Sequence, residues 1–114
     1  MVELIVNGKV AGVMRVPADG EVHAMQFEPS IERSSWVALR QFPQLHTNPV
    51  NVIIDGQPIR ASRKSALWCI ACIELLWRNR EKNILPSERD AARETFHRAL
   101  ERYRQIADEC PDEE

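Results

Sequence analysis

The chain has 114 residues, of which 44% are hydrophobic and 28% are charged, and its formal net charge is −2. This length suits one domain with one core, and the balanced charge lacks the basic surface that binding to phosphate backbones requires. We therefore expect no nucleic-acid partner. The sequence contains no apolar run long enough to span a membrane and no signal-peptide pattern at its N-terminus, so we expect no membrane partner; the compartment stays open.

The N-terminal half has the alternating pattern of β-strands. Apolar residues recur over residues 2–6 and 9–16, with Asn7-Gly8 between the two runs. Asn-Gly in this position indicates a type I′ hairpin, because both central residues of that turn need a positive φ. Residues 43–49 contain two prolines and should form a loop. Further strands are predicted at 23–27, 35–42, 50–54 and, at a sheet edge, 57–60.

The C-terminal half changes to the period of a helix. A first helix is predicted over 63–80 with Ser62 as its N-cap; it is apolar around most of its circumference, which predicts burial on most sides. Ile73 or Leu76 should then contact both the sheet and the second helix. That second helix should begin at a capping box of Ser87 and Asp90 and end near 109. Its apolar stripe comprises Ala92, Phe96, Ala99, Leu100, Tyr103 and Ile106.

These elements predict an α+β fold in which an antiparallel sheet of five to six short strands precedes a two-helix hairpin. The strands are too few for a complete immunoglobulin-like sandwich, so we expect a partial one whose apolar face the hairpin covers at least in part. We expect a single domain with a strand-rich layer at 1–60, the hairpin at 61–109 and a frayed acidic tail at 110–114. The strand pattern starts at the first residue, as we would expect of a fragment of a longer protein.

Cys69 and Cys72 have the Cys-x-x-Cys spacing of redox and zinc sites. A reactive cysteine usually lies at a helix N-terminus, whereas Cys69 should lie about two turns inside an apolar helix. We therefore expect buried, packed thiols, with neither a metal nor a cofactor. Glu74 is the one charged residue between positions 66 and 77, and an ion pair with Arg78 should hold it.

No arrangement of residues in the sequence indicates a catalytic site. His23, His46 and His97 fall in a predicted strand, a loop and a helix, and no acidic residues recur beside them at ligand spacing. Cations cluster at the start of the first helix, where the helix dipole disfavours them unless an acidic group is near. Together with the polar loop they form a candidate surface for a ligand or partner, which comprises His46, Asn48, Arg60, Arg63 and Lys64.

Four blocks, in this order, resemble the C-terminal region of CehA/McbA-type metal-dependent hydrolases, relatives of the polymerase-and-histidinol-phosphatase superfamily. They are residues 34–40 (SSWVALR), 46–50 (HTNPV), 55–62 (DGQPIRAS) and 65–69 (SALWC). The resemblance implies a β-rich accessory module beside an upstream catalytic domain of the same polypeptide. That upstream domain would hold the metals, and no catalytic residue transfers to this chain.

Three hypotheses about function follow. The first is a non-catalytic accessory domain of a metal-dependent hydrolase, with a structural role or a role in positioning a substrate or partner. The second is a free-standing binding module for a protein or an anionic glycan, using the loop at 43–49 and the cations at 60–64. The third is a thiol redox or metal site at Cys69 and Cys72.

Overall fold

A computed structural model of the chain describes residues 1–111. The predicted α+β class is confirmed: an antiparallel sheet of five strands precedes two helices. The chain divides into two compact units, the strand unit Met1–Ala61 and the helical unit that begins at Ser62. Among the described residues, no helix is both long enough and apolar enough to cross a membrane.

The strand unit is built on the predicted hairpin of β1 (Val2–Val6) and β2 (Lys9–Met14). Asn7 and Gly8 have φ values of +51° and +85°, which confirms the type I′ prediction. The Asn7 side chain also ties the turn to the next strand: its Nδ2 donates to Ser35 Oγ at 3.0 Å, and its Oδ1 accepts from the Trp36 N–H at 3.1 Å. The turn therefore sets the register of two strand pairs.

β3 (Ser35–Gln41) pairs with β1 on one side and with two short strands on the other, β4 (Leu45–His46) and β5 (Val50–Val52). Leu4 lies opposite Gly12 on one side and Leu39 on the other, and only 5% of its surface is exposed. A Cβ on Gly12 would lie 3.1 Å from the Phe27 ring, so Phe27 covers this face of the sheet.

Two predicted strands are absent from the described chain. Residues 23–27 lie in the irregular segment 15–34, where Val22 is fully exposed and Phe27 packs over Gly12. Three alternating residues were therefore too short a pattern to predict a strand here. Residues 57–60 are also irregular, because the Ser34 hydroxyl binds this stretch instead: it donates to the Gln57 carbonyl at 2.7 Å and accepts from the Ile54 N–H at 2.9 Å.

The helical unit contains α1 (Arg63–Arg80), a 3₁₀ turn (Glu81–Asn83) and α2 (Arg89–Glu109). The predicted N-cap is confirmed, since Ser62 Oγ accepts from the Ser65 N–H at 3.1 Å. The predicted capping box is wrong: α2 begins after Glu88, and no side chain caps it. The six residues of the predicted α2 stripe are all partly buried, which confirms the amphipathic pattern.

Within the helical unit, the prediction that α1 is buried on most sides is wrong. Leu67, Trp68, Leu75 and Leu76 keep 48%, 68%, 52% and 47% of their surface exposed. α2 contacts one side of α1, where the rings of Trp77 and Phe96 lie 5.0 Å apart between centroids. Trp68 lies two and a half helical turns before Trp77, which places it on the opposite side of α1, away from this contact. That the hairpin covers the sheet, and that the chain is a single domain, stay predictions.

Two further expectations for the helical unit need correction. Glu74 is half exposed, and its carboxylate lies 3.9 Å from Arg104 of α2 rather than pairing with Arg78 as predicted. Cys69 and Cys72 are free thiols but only half-buried, not buried as predicted. Cys110 is buried, and its N–H donates to the Ile106 carbonyl at 3.1 Å, so the tail is ordered there; residues 112–114 lie outside the described chain.

Candidate functional site

A groove crosses one face of the sheet above Ala38, and its shape follows from the alternation of side chains along β3. Trp36, Ala38 and Arg40 point to the same face because residues two apart on a strand share a side. Ala38 is small and has a large residue on either side of it. A depression therefore forms at Ala38, with the indole at one end and the guanidinium at the other.

The edge of the sheet beside Ala38 is interrupted. Arg40 is paired with His46, and Trp36 with Asn51, but residues 47–49 between them belong to no strand. Between the pairs Arg40–His46 and Val37–Val50 there are two residues on β3 but three on the facing chain. One extra residue is therefore accommodated in the gap, as in a β-bulge. Thr47 holds the gap to β3: its N–H donates to the Leu39 carbonyl at 2.9 Å, and its hydroxyl accepts from the Leu39 N–H at 3.0 Å.

The result is an open groove of about 590 Å³, which we call the Ala38 groove. Its floor is apolar, since Ile5 of β1 lies directly across from Ala38 and is only 6% exposed. The volume lies in the range of small-molecule sites, which combine apolar walls with a few oriented polar groups. The residues that matter most for its chemistry are Ile5, Trp36, Ala38, Arg40, His46 and Asn51.

One end of the groove is polar. Arg40 Nε donates to Glu3 Oε2 at 2.7 Å, and the guanidinium lies 5.6 Å from the centroid of the Phe42 ring. His46 Nδ1 lies 3.0 Å from the Thr47 carbonyl oxygen. A carbonyl oxygen only accepts, so Nδ1 carries the proton and Nε2 stays available to a ligand. The pairs with Glu3 and Thr47 hold both side chains in place.

The predicted ligand surface is divided between the two units. His46 lines the Ala38 groove, and Asn48 lies in the exposed gap beside it. Arg60 lies near the end of the strand unit, with Nη1 donating to the Ile59 carbonyl at 3.0 Å, while Arg63 and Lys64 begin α1 in the helical unit. All three cations take part in interactions within the molecule. That the five residues form one surface stays a prediction.

Trp36, Ala38, Arg40 and Asn51 were not predicted as site residues. The alternation of Trp36, Ala38 and Arg40 was visible in the sequence, and a small residue between two large ones on one face is the signal that could have identified the groove. Asn51 carried no such signal. Its place opposite Trp36 depends on the extra residue in the gap, which the sequence pattern does not reveal.

The three histidines each have their own partner. His23 Nε2 lies 2.8 Å from Asp19, His97 Nε2 lies 3.2 Å from Glu101, and His46 belongs to the Ala38 groove. Hydrogen bonds from His23 and from the Glu21 N–H lower the pKa of the exposed Asp19 carboxyl, since both favour its charged form. In residues 1–111 we find no group of three His, Cys, Asp or Glu side chains that could hold a metal ion.

A second depression, of about 380 Å³, lies between α1 and α2. Its floor is the contact between Trp77 and Phe96, and Arg93 closes it by lying 5.8 Å from the Trp77 ring centroid and 3.1 Å from Glu81. Arg93 is thus already paired with an acid and with an aromatic face. This depression is better explained as the solvent-exposed border of the helix contact than as a site for a ligand.

Comparison of the chain with protein-family models, with curated proteins and with solved structures gives no match. The resemblance to the C-terminal region of CehA/McbA-type hydrolases therefore stays a proposal.

Proposed function

We propose that this chain is a non-catalytic accessory domain of a larger metal-dependent hydrolase and that its strand unit holds a ligand for that protein. The Ala38 groove carries the proposal, because an apolar floor with polar groups at its ends is the usual form of a small-molecule site. The resemblance supports the link to a hydrolase. Three of its four blocks, 34–40, 46–50 and 55–62, contribute residues that line this groove.

A division of labour with an upstream catalytic domain is consistent with the groove's chemistry. Its polar side chains are held by structural contacts: Arg40 by Glu3, and His46 by the Thr47 carbonyl. Such groups can orient a bound molecule. The reaction itself would take place at metals held by the upstream domain, as the resemblance implies.

Turnover by the purified chain tests this proposal. Phosphate monoester and carboxylic ester substrates would be assayed with and without added Mn²⁺ or Zn²⁺, beside a buffer blank. We expect rates equal to the blank in every case. Robust turnover that requires the metal and is removed by a chelator would contradict the proposal.

A second candidate is the free-standing binding module for a protein or anionic glycan. The exposure of every residue from Phe42 to Asn51 favours it, whereas the existing interactions of Arg60, Arg63 and Lys64 disfavour it. A glycan array and a pull-down with wild-type, Arg63→Ala and Arg98→Ala proteins separate the outcomes; Arg98 is an exposed cation on α2 and serves as the control. Binding lost in Arg63→Ala alone would support this candidate, and background binding in all three proteins would remove it.

A further inference from the structure

The Ala38 groove has a permanent positive charge, that of Arg40, at one end. Of the residues that line it, the ionisable ones are Arg40 and His46, and they lie opposite each other on β3 and β4 at the same end. Both donate hydrogen bonds when charged, and a guanidinium fork matches a carboxylate in shape. This end of the groove suits an anionic group.

The remainder of the groove suits an apolar body. From Arg40 to Trp36 is four residues of strand, or about 13 Å at the usual rise. The floor between them consists of Ala38 and the buried Ile5, with the indole of Trp36 at the far end. Asn51, opposite Trp36, adds an amide at the edge of this apolar section.

We propose that the Ala38 groove binds a small organic carboxylate with a flat apolar body. The carboxylate pairs with the Arg40 guanidinium, and the body lies over Ala38 beside the Trp36 indole; His46 can donate to the carboxylate from Nε2 only when its ring is protonated. This inference rests on the proposed function, in that it names the class of ligand that the strand unit would hold.

The charge of Glu3, which pairs with Arg40, should affect the binding of an anionic ligand. Its carboxylate takes one of the five N–H donors of the Arg40 guanidinium and lies close enough to oppose a second anion. A ligand carboxylate therefore uses the remaining donors of Arg40, and the charge of Glu3 weakens its binding. Removing the charge of Glu3 should tighten binding, whereas a purely structural pair of Glu3 and Arg40 predicts weaker or unchanged binding.

The test is a calorimetric titration of the intact chain with two probes of the same shape, 2-naphthoate and the neutral 2-naphthamide. We expect a Kd of about 0.1–1 mM for naphthoate, as befits a ligand of this size. Naphthamide should bind about 5–10-fold more weakly, a difference reduced by the partial exposure of Arg40. Equal affinities would overturn the assignment of an anionic ligand.

Four variants locate the binding. Arg40→Gln should raise the Kd of naphthoate to that of naphthamide and leave the Kd of naphthamide unchanged. Glu3→Gln should lower the Kd of naphthoate about 2–5-fold. Ala38→Leu fills the groove and should raise the Kd of both probes more than about tenfold. Ala11→Leu makes the same change at an exposed position of β2 and should alter neither Kd.

Circular dichroism of each variant checks that it is folded. If Ala38→Leu does not fold, the Arg40→Gln and Glu3→Gln results still decide the proposal. Naphthoate binding that survives in folded Ala38→Leu, or that weakens in Glu3→Gln, would overturn it. These outcomes differ from a failure of the proposed function, which metal-dependent turnover would reveal whatever the affinity for naphthoate.

Discussion

The strand unit and the helical unit bury their apolar residues in different ways. β1 lies between β2 and β3, so Leu4 and Ile5, on opposite faces of the same strand, are both almost completely buried. α1 has one neighbour in its unit, and Trp68 and Leu75 on its far side stay more than half exposed. The apolar residues of an element thus indicate how much surface it could bury. How much it does bury depends on how many other elements pack against it.

The units also differ in how polar groups are used. In the strand unit, Asn7 and Ser34 bind backbone groups of distant segments and fix where strands begin and end. In the helical unit, many side-chain pairs are exposed and join polar or charged residues on the helix surfaces, as Glu74 and Arg104 do. Side-chain hydrogen bonds to the backbone of distant segments are therefore a feature of the strand unit, where the Ala38 groove also lies.

The largest expected effect comes from the core of the strand unit. Leu4→Ala should lower the free energy of unfolding by about 3–5 kcal/mol, because a nearly buried leucine is deleted between two strands. Val13→Ala on β2 is the control, since Val13 is 53% exposed, and should cost less than about 1 kcal/mol. Denaturant unfolding would be followed through Trp36, the one tryptophan of this unit. Equal losses would show that Leu4 is not at the centre of the unit.

The next effect compares two tryptophans of α1. Trp77→Ala should cost about 2–3 kcal/mol, since the indole packs on Phe96 but is only partly buried. Trp68→Ala should cost less than about 1 kcal/mol, and the change in helix propensity is the same in both variants. Helix unfolding followed by circular dichroism measures both. If Trp68→Ala costs as much as Trp77→Ala, α1 is buried on both sides, and the exposed face described here is wrong.

The turn at Asn7 should give an intermediate effect. Asn7→Ala loses two side-chain hydrogen bonds to β3 and strains a backbone with φ of +51°, so we expect a loss of about 2 kcal/mol. Asn7→Gly removes the same hydrogen bonds but relieves the strain, and should cost about 1 kcal/mol. Thermal melts of the two variants separate the contributions. Identical losses would assign the whole effect to the hydrogen bonds.

The smallest effect concerns the helix N-termini. Ser62→Ala removes the N-cap of α1 and should cost about 1 kcal/mol. Ser87→Ala should change stability by less than about 0.5 kcal/mol, because the structure places Ser87 outside α2 and its cap. Hydrogen exchange of the first-turn amides of each helix would report the loss locally. A substantial effect of Ser87→Ala would restore the capping box that the sequence pattern predicted.

Local signals in the sequence were sufficient for most of the fold. The Asn7-Gly8 turn and the Ser62 cap were predicted because each depends on residues next to one another in the chain. The stripe on α2 was predicted because one period covers its length. The prediction failed where distant groups decide the structure, as at 57–60, where the Ser34 hydroxyl binds the chain from another segment.

The candidate site was predicted in part for the same reason. His46 and Asn48 were identified from the polar loop, but the groove depends on Ala38, on the two large residues beside it and on the register of a neighbouring strand. The cations at 60–64 drew attention as a cluster in the sequence. The structure places Arg60 in the strand unit and Arg63 and Lys64 in the helical unit, and that they form one site stays a prediction.

We propose that a ligand is held by the strand unit and not by the exposed apolar face of α1. Two-dimensional ¹H–¹⁵N NMR spectra of the intact chain, recorded while 2-naphthoate is added, test it most directly. We expect the amide signals of Gly8, Ala38, His46 and Asn51 to shift in a saturable way, while those of Leu67, Trp68 and Leu75 do not. Shifts confined to α1, with the groove amides unchanged, would contradict it.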